Sequence, residues 1–168
     1  MRTKPLIAIT MGDPSGIGPE IIVKALQSAE IADICVPMVI GDRLALERAV
    51  AVCSSSLIIH CVASAEAARN APESTIPLLA FSHLTEADMP YGAPSITAGD
   101  AVYRYICHAT QLCRDGQVAA MATAPISKEA MHRAGHDYPG HTELLAELCG
   151  TNDFVMMLAG DLLRVSLV

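Results

Sequence analysis

The sequence predicts an α/β fold, in which strands alternate with helices around a parallel sheet. Short apolar runs rich in Ile and Val recur between segments whose apolar residues repeat with a period near 3.6. Glycine-rich or capped turns separate the two kinds of segment, which is typical of α/β proteins. The chain has 168 residues, of which 52% are hydrophobic, so it is long enough for one full core.

The first unit is a strand, a glycine loop and a helix. Leu6–Thr10 predicts the strand, and MGDPSGIGPE (11–20) leads from it into a helix with Ile22 on its apolar face. Pro19 is expected at the first helical position, where its missing N–H costs no hydrogen bond. Glu20 then lies favourably near the positive end of the helix dipole.

Further strands are expected before residue 95, at Val36–Ile40, Leu57–Val62 and Pro77–Phe81. Asp42 is expected to cap a helix that runs to about Val52. The pattern weakens from Ser64 to Pro94, where four prolines occur. This segment is therefore predicted to be the most irregular part of the chain.

A long helix is predicted next. Ser95 or Thr97 caps it, its apolar residues keep the helical period, and it ends near Gly116. Val118–Thr123 then predicts a strand of the fully buried type.

Two short helices and a hairpin complete the prediction. Ser127 is expected to cap the first helix, which Gly135 ends. Thr142 is expected to cap the second, which Gly150 ends. Two apolar runs on either side of Gly160-Asp161 predict the hairpin; they are Phe154–Ala159 and Leu162–Val168. A strand as apolar as the second run would normally pair with a further strand. We therefore expect the sequence to be the N-terminal part of a longer protein.

Composition excludes several classes of function. The formal net charge is −7, and no basic stripe is present that could bind nucleic acid. No apolar run approaches the roughly 20 residues of a membrane span, and no signal peptide is recognisable, so we expect a cytoplasmic protein. The six cysteines form no CxxC pair, which favours buried thiols in a reducing compartment over disulfides.

The stretch Ala122–Leu145 is the first candidate site, because it contains three histidines, a lysine and several hydroxyl side chains. Within its PGHTE segment, His141, Thr142 and the start of a helix can form a polar grip for a hydroxylated or anionic small molecule. The alternative is an ordinary helix cap with an exposed histidine. Lys128 is likewise either a ligand for phosphate or carboxylate, or a solvated helix charge.

A metal site formed within this stretch is not expected. His132 and His136 have the spacing of a helical zinc pair, but Gly135 should end the helix between them. The glutamate that an HExxH motif requires is also missing. The other three histidines are scattered along the sequence.

The glycine loop is a second candidate. Gly12, Gly16 and Gly18 permit a close backbone approach, and Asp13 lies between them. Their GxxxGxG spacing matches neither the dinucleotide-binding fingerprint nor the phosphate-binding P-loop. A ligand loop and a purely structural turn therefore both remain open.

Three motifs in order, TMGDPSGIGPE, ATAPISKEAMHRAG and YPGHTELLAE, resemble the 4-hydroxythreonine-4-phosphate dehydrogenase family. The similarity covers Leu6–Val168 and includes paralogues that act on 4-phospho-D-threonate or 4-phospho-D-erythronate. The glycine loop is also similar to that of the isocitrate and isopropylmalate dehydrogenases.

The resemblance implies a three-layer α/β/α subunit of the isocitrate/isopropylmalate dehydrogenase type, with two domains flanking a cleft. Residues 1–125 would form the first domain and 126–168 the start of a second, incomplete one. It also implies a homodimer and an NAD- or NADP-dependent oxidation and decarboxylation of a phosphorylated four-carbon hydroxy acid, in pyridoxal 5'-phosphate biosynthesis.

In that family the His-Thr pair contacts the substrate, which corresponds here to His141 and Thr142. The divalent metal, zinc, magnesium or cobalt, is bound by histidines that would lie beyond Val168, so this chain is expected to contribute no metal ligand. We therefore expect the 168 residues alone to be inactive. A non-catalytic phospho-ligand binding or dimerisation module is the alternative from a different class.

Overall fold

A computed structural model describes residues 4–167. Its strands are β1 (Leu6–Thr10), β2 (Val36–Asp42), β3 (Ile58–Cys61), β4 (Thr75–Ser82), β5 (Ala120–Thr123), β6 (Met156–Ala159) and β7 (Arg164–Leu167). Its helices are α1 (Gly18–Leu26), α2 (Ala29–Ile34), α3 (Arg43–Val52), α4 (Ala65–Ala68), α5 (Ile96–Arg114), α6 (Lys128–Arg133) and α7 (His141–Cys149).

Five strands form one parallel sheet in the order β3-β4-β2-β1-β5. β1 and β2 lie inside the sheet, and side chains such as Leu6, Met38 and Ile40 are fully buried there. Because all five strands run the same way, their carboxyl ends meet at one edge, where polar loops can converge. The predicted α/β class is confirmed.

Helices pack on the sheet to give a three-layer arrangement. α5 contacts β1, β2, β4 and β5, while α3 contacts β2, β3 and β4 and packs against α1. Tyr105 of α5 is completely buried, and its hydroxyl hydrogen-bonds to that of Ser82 at the end of β4. A second, smaller apolar cluster joins α5 to the two helices that follow it, and consists of Val102, Ile106, Met131 and Leu144.

Most predicted helix ends are confirmed. The Asp42 carboxylate caps α3 by accepting hydrogen bonds from the amides of Leu44 and Ala45. The Ser95 hydroxyl caps α5, which decides between Ser95 and Thr97. Ser127 caps α6, and Gly150 ends α7 with a φ of 68°.

Three predictions about local structure are wrong. Gly140 occupies the N-cap of α7 in an extended conformation, so Thr142 lies inside the first turn and caps nothing. α1 begins at Gly18, which puts Pro19 at its second position. β5 is not of the buried type, because within residues 4–167 it is an edge strand that pairs only with β1, and its residues are exposed apart from Met121.

The segment 64–94 is more regular than the sequence suggests. It contains α4, a 3₁₀ turn at Glu86–Asp88 and β4, which at eight residues is longer than the predicted strand. Pro77 lies within β4 although this strand pairs with neighbours on both sides. The helix α2 was not predicted at all.

β6 and β7 form the predicted antiparallel hairpin, in which Leu158 lies opposite Val165. All eight strand residues are exposed, and so are Phe154, Val155, Leu162 and Leu163 nearby. The last residue of the predicted strand, Val168, lies outside the described residues. The hairpin therefore presents a large apolar surface to solvent.

Candidate functional site

The glycine loop lies at the carboxyl end of β1, against the segment that leaves β5. The Asp13 amide donates a hydrogen bond to the Pro125 carbonyl at 2.9 Å. A Cβ on Gly12, whose φ is 71°, would overlap the same carbonyl oxygen. A Cβ on Gly18 would overlap the Met11 carbonyl. Packing against backbone therefore explains these two glycines, and neither needs a ligand to account for it.

Asp13 is held inside this loop. Its Oδ1 atom accepts a 2.8 Å hydrogen bond from the Ser15 amide, and its side chain lies close to Gly16. Burial raises the pKa of the Asp13 carboxyl, and the bond from Ser15 partly opposes the effect. The hydroxyl oxygens of Thr10 and Ser15 are buried nearby with no hydrogen-bond partner among the described residues. The loop thus gathers polar groups at the carboxyl edge.

Arg48 holds the glycine loop in place, a role that no sequence motif predicts. Its guanidinium donates hydrogen bonds to the carbonyls of Pro14 and Met89 and lies 4.0 Å from the centre of the Tyr91 ring. The Gly92 amide adds a bond to the Ser15 carbonyl. An arginine four residues before the end of an ordinary helix carries no pattern that would identify it as a clamp.

Lys128 and His141 are brought together. α6 packs so closely on α5 that a Cβ on Gly99 would overlap the Ala130 carbonyl, and this contact fixes the helix that begins with Lys128. The position of a Cβ on Gly140 would lie 3.6 Å from Cε and 3.7 Å from Nζ of Lys128. Gly140 immediately precedes His141. The lysine ammonium therefore lies beside the start of α7.

His141 is held as a neutral imidazole near neutral pH. Burial lowers the pKa of His141, and the positive charge of Lys128 lowers it further. Its Nε2 atom is buried and has no hydrogen-bond partner among residues 4–167. An unpartnered ring nitrogen is costly unless a ligand or water satisfies it. Thr142 follows it in the first turn of α7 and is half-buried.

The other two histidines of the stretch each contact a carboxylate. His136 is bonded to Asp100, with 2.9 Å between Nε2 and Oδ1. His132 lies 3.2 Å from the Asp137 carboxylate, and 67% of its side chain is exposed. α6 ends at Arg133, and Gly135 has a φ of 90°, so the predicted break between the two histidines is confirmed.

Within the described part of the chain, no three His, Cys, Asp or Glu side chains converge to hold a metal ion. The residues present therefore do not fit a complete metal site. At the glycine loop, neighbouring backbone occupies the Cβ positions of Gly12 and Gly18. What the residues present fit is a small ligand that carries a negative charge or hydroxyl groups.

A cavity of about 510 Å³ lies at the opposite, amino-terminal edge of the sheet, where Val36 and Thr75 line it. Lys4, Asp33, Arg69 and Glu73 also line it, so its charges balance. It lies away from the glycine loop and from His141. We assign no role to it, because parallel α/β proteins bind their ligands at the carboxyl edge.

A parallel sheet with polar loops at its carboxyl edge defines an α/β protein of the kind that binds small molecules there. The chain belongs to the family described as pyridoxal phosphate biosynthetic protein PdxA, which matches residues 33–168.

Several relatives are similar over nearly the whole chain. The 4-hydroxythreonine-4-phosphate dehydrogenase of Trichlorobacter lovleyi is 64% identical over 98% of this chain and 49% of its own length. The D-threonate 4-phosphate dehydrogenase of Cupriavidus necator is 45% identical over 96% of this chain and 48% of its own.

A solved 4-hydroxythreonine-4-phosphate dehydrogenase from Burkholderia phymatum superimposes with a TM-score of 0.90 at 42% identity, over 98% of this chain and 49% of that one. The chain therefore spans about half the length of the relatives it matches. No helix among residues 4–167 is long and apolar enough to cross a membrane.

Proposed function

We propose that this chain carries part of the substrate site of a 4-hydroxythreonine-4-phosphate dehydrogenase. The full protein would use NAD or NADP and a divalent metal to oxidise and decarboxylate 4-phosphohydroxy-L-threonine in pyridoxal 5'-phosphate biosynthesis. The observation that carries the proposal is the pairing of Lys128 with His141, whose buried Nε2 has no partner among the described residues. A relative with that name, 64% identical over 98% of this chain, supports it.

Each residue has a proposed role. The neutral His141 ring offers a donor or an acceptor to a substrate hydroxyl, because its lowered pKa keeps it uncharged at neutral pH. Thr142 adds a hydroxyl from the same helical turn, and Lys128 supplies positive charge for a phosphate or carboxylate. The glycine loop, with Gly12, Asp13, Gly16 and Gly18, would form the neighbouring wall.

The nicotinamide cofactor and the metal would be bound by residues other than these. The nicotinamide would accept the hydride, and the metal would lower the pKa of the substrate hydroxyl and stabilise the charge that forms on decarboxylation. Neither Lys128 nor His141 can replace such a Lewis acid. We therefore expect no NAD-linked turnover from the 168 residues alone, and robust turnover would contradict this proposal.

We propose that residues 1–125 form a first domain and 126–168 begin a second one, across a cleft of the isocitrate/isopropylmalate dehydrogenase type. The exposed apolar hairpin supports this, because so large an apolar surface normally marks a contact with further protein. We further propose a homodimer in the cytoplasm. The six cysteines, all free, agree with a reducing compartment.

The first test is whether the reading frame continues past Val168 and encodes further histidines. If it does, the full protein is incubated with 4-phosphohydroxy-L-threonine, NAD or NADP, and Mg²⁺, Zn²⁺ or Co²⁺, and formation of the reduced nicotinamide is followed. His141→Ala should lower kcat/KM by about 100-fold, as loss of a positioning contact does. Wild-type activity in this variant would remove His141 from the site.

A second candidate substrate is 4-phospho-D-threonate or 4-phospho-D-erythronate, because a relative named for the former is 45% identical. The same assay with each acid separates the candidates by the ratio of kcat/KM values. If the full protein binds a phosphorylated acid in calorimetry but turns over none of the three, the non-catalytic binding module is the correct function.

A further inference from the structure

The segment 134–140, which joins α6 to α7, is fastened to α5 by stacked rings. The His136 ring lies on Tyr103 of α5, with centroids 3.7 Å apart and an angle of 8° between the planes. Tyr138 also stacks with Tyr103, with centroids 6.2 Å apart at 16°. One aromatic side chain of α5 thus stacks with both rings of the connecting segment, closely with His136 and, with Tyr138, at a separation typical of favourable aromatic pairs.

Polar contacts also hold the rings of His136 and Tyr138 in place. Asp100 precedes Tyr103 by three residues, so both lie on the same face of α5, and its Oδ1 atom is 2.9 Å from Nε2 of His136. The Tyr138 hydroxyl donates a 3.0 Å hydrogen bond to Oε1 of Glu147 on α7. The segment is therefore tied to α5 at His136 and to α7 at Tyr138.

Leu144 anchors α7 in the apolar cluster that it shares with α5 and α6. The start of the helix is less constrained: Gly140 is the N-cap residue in an extended conformation, and no side chain among residues 4–167 caps the helix. Glycine restricts the backbone least, so the direction in which the next residue points depends on how the preceding segment is anchored. The Cβ position of Gly140, directly before His141, lies within 4 Å of Lys128 from α6 and of Glu143 from α7.

We propose that His136 is a positioning residue: its bond to Asp100 and its stack on Tyr103 lock the segment 134–140 on α5 and thereby hold His141 in its buried place beside Lys128. The inference rests on the proposed role of His141 in binding substrate. It gives His136 a purpose other than metal binding, because the Nε2 atom that would bind a metal is already engaged by a carboxylate.

A merely stabilising role for His136 makes a different prediction. If the contacts only add stability, removing them lowers the free energy of unfolding but leaves His141 buried in the folded protein. If they position His141, their loss exposes its ring and moves it from Lys128. Both changes raise the pKa of His141, because burial and Lys128 are what lower it.

The test is an NMR titration of the histidine ring protons in the 168-residue chain, with the His141 signal assigned by its loss in His141→Gln. In His136→Ala, the pKa of His141 should rise toward the ordinary histidine value. His132→Ala is the matched control: it removes a neighbouring histidine that also contacts a carboxylate but is exposed, and the pKa of His141 should not change. An unchanged pKa in folded His136→Ala would overturn the proposal.

Milder variants cover the case in which His136→Ala does not fold. His136→Phe keeps a ring on Tyr103 but loses the bond to Asp100, and Asp100→Asn keeps an oxygen at the same position. His136→Phe should raise the pKa of His141, and Asp100→Asn should raise it less. If the pKa of His141 stays at the wild-type value in both variants, His136 does not position it. Because the titration needs no substrate, it remains valid even if the proposed dehydrogenase activity fails.

Discussion

At the scale of single residues, the candidate site contains groups that weaken the fold. Asp13 is buried with one hydrogen bond from an amide, and burial raises the pKa of its carboxyl. His141 is half-buried, and its Nε2 atom has no hydrogen-bond partner in the described part of the chain. Side chains that a fold holds at a cost are typical of functional sites, and the cost can be measured.

Asp13→Asn should increase the free energy of unfolding at pH 7. The folded pKa of this carboxyl lies above its unfolded value, so its contribution to stability is present at low pH and is lost as the pH rises through the folded pKa. Asparagine keeps an oxygen for the Ser15 amide and carries no charge. Urea unfolding at several pH values checks this, and the gain should vanish in acid. A variant that is less stable at pH 7 would contradict the explanation.

Gly12→Ala should destabilise the chain by about 3 kcal/mol, because its left-handed backbone and the overlap with the Pro125 carbonyl both oppose a side chain. Gly92→Ala is the matched control. Gly92 has nearly the same φ, 70°, but nothing lies within 4 Å of its Cβ position, so the loss should be about 1 kcal/mol. Equal losses in urea unfolding would show that the close approach has no energetic effect.

At the scale of elements, the close contact between α5 and α6 determines where Lys128 lies. Gly99→Ala would normally stabilise a helix interior by about 1 kcal/mol. Here a Cβ would overlap the Ala130 carbonyl, so we expect a net loss of about 1–2 kcal/mol and a shift of α6. Urea unfolding gives the loss, and amide chemical-shift changes concentrated in α6 would report its movement. A net gain in stability would mean that α6 is not held by this contact.

Elements with a strong local signal could be predicted from the sequence, and those fixed by the rest of the fold could not. Asp42, Ser95 and Ser127 have the side chains that helix caps need, and each caps as expected. Thr142 has the same chemistry, yet the extended Gly140 starts α7 two residues earlier. An apolar strand looks the same in the middle of a sheet and at its edge, so the exposure of β5 could not be foreseen.

The site was predictable to a similar degree. PGHTE identified His141 as a candidate because a histidine and a hydroxyl precede a helix. No local pattern predicts the contacts of Arg48, His136 or Gly99, since their partners lie 34 to 41, 36 and 31 residues away in the chain. Only the fold brings those pairs together.

At the scale of the whole molecule, the inner strands of the main sheet are buried, whereas the hairpin is exposed. We expect the isolated chain to self-associate through β6 and β7, because exposed apolar strands promote pairing with other chains. The double variant Leu158→Glu, Val165→Lys should reduce both self-association and the binding of a dye that recognises exposed apolar surface. It should not lower the free energy of unfolding, since both side chains are exposed.

Size-exclusion chromatography checks the expectation. Ile58→Lys is the control, because it also removes an exposed apolar side chain but lies on β3 at an edge of the main sheet. If this variant reduces self-association as much as the double variant does, the hairpin is not the contact surface.

The exposed hairpin also makes two methionines accessible to oxidants. Met156 and Met157 are about half exposed, whereas Met11, Met38, Met89 and Met131 are buried almost completely. Peroxide converts accessible thioethers to sulfoxides, so those two methionines should react before the four that lie inside. Their rate of oxidation, read by mass spectrometry, would show when further protein covers this surface and shields it from chemical damage.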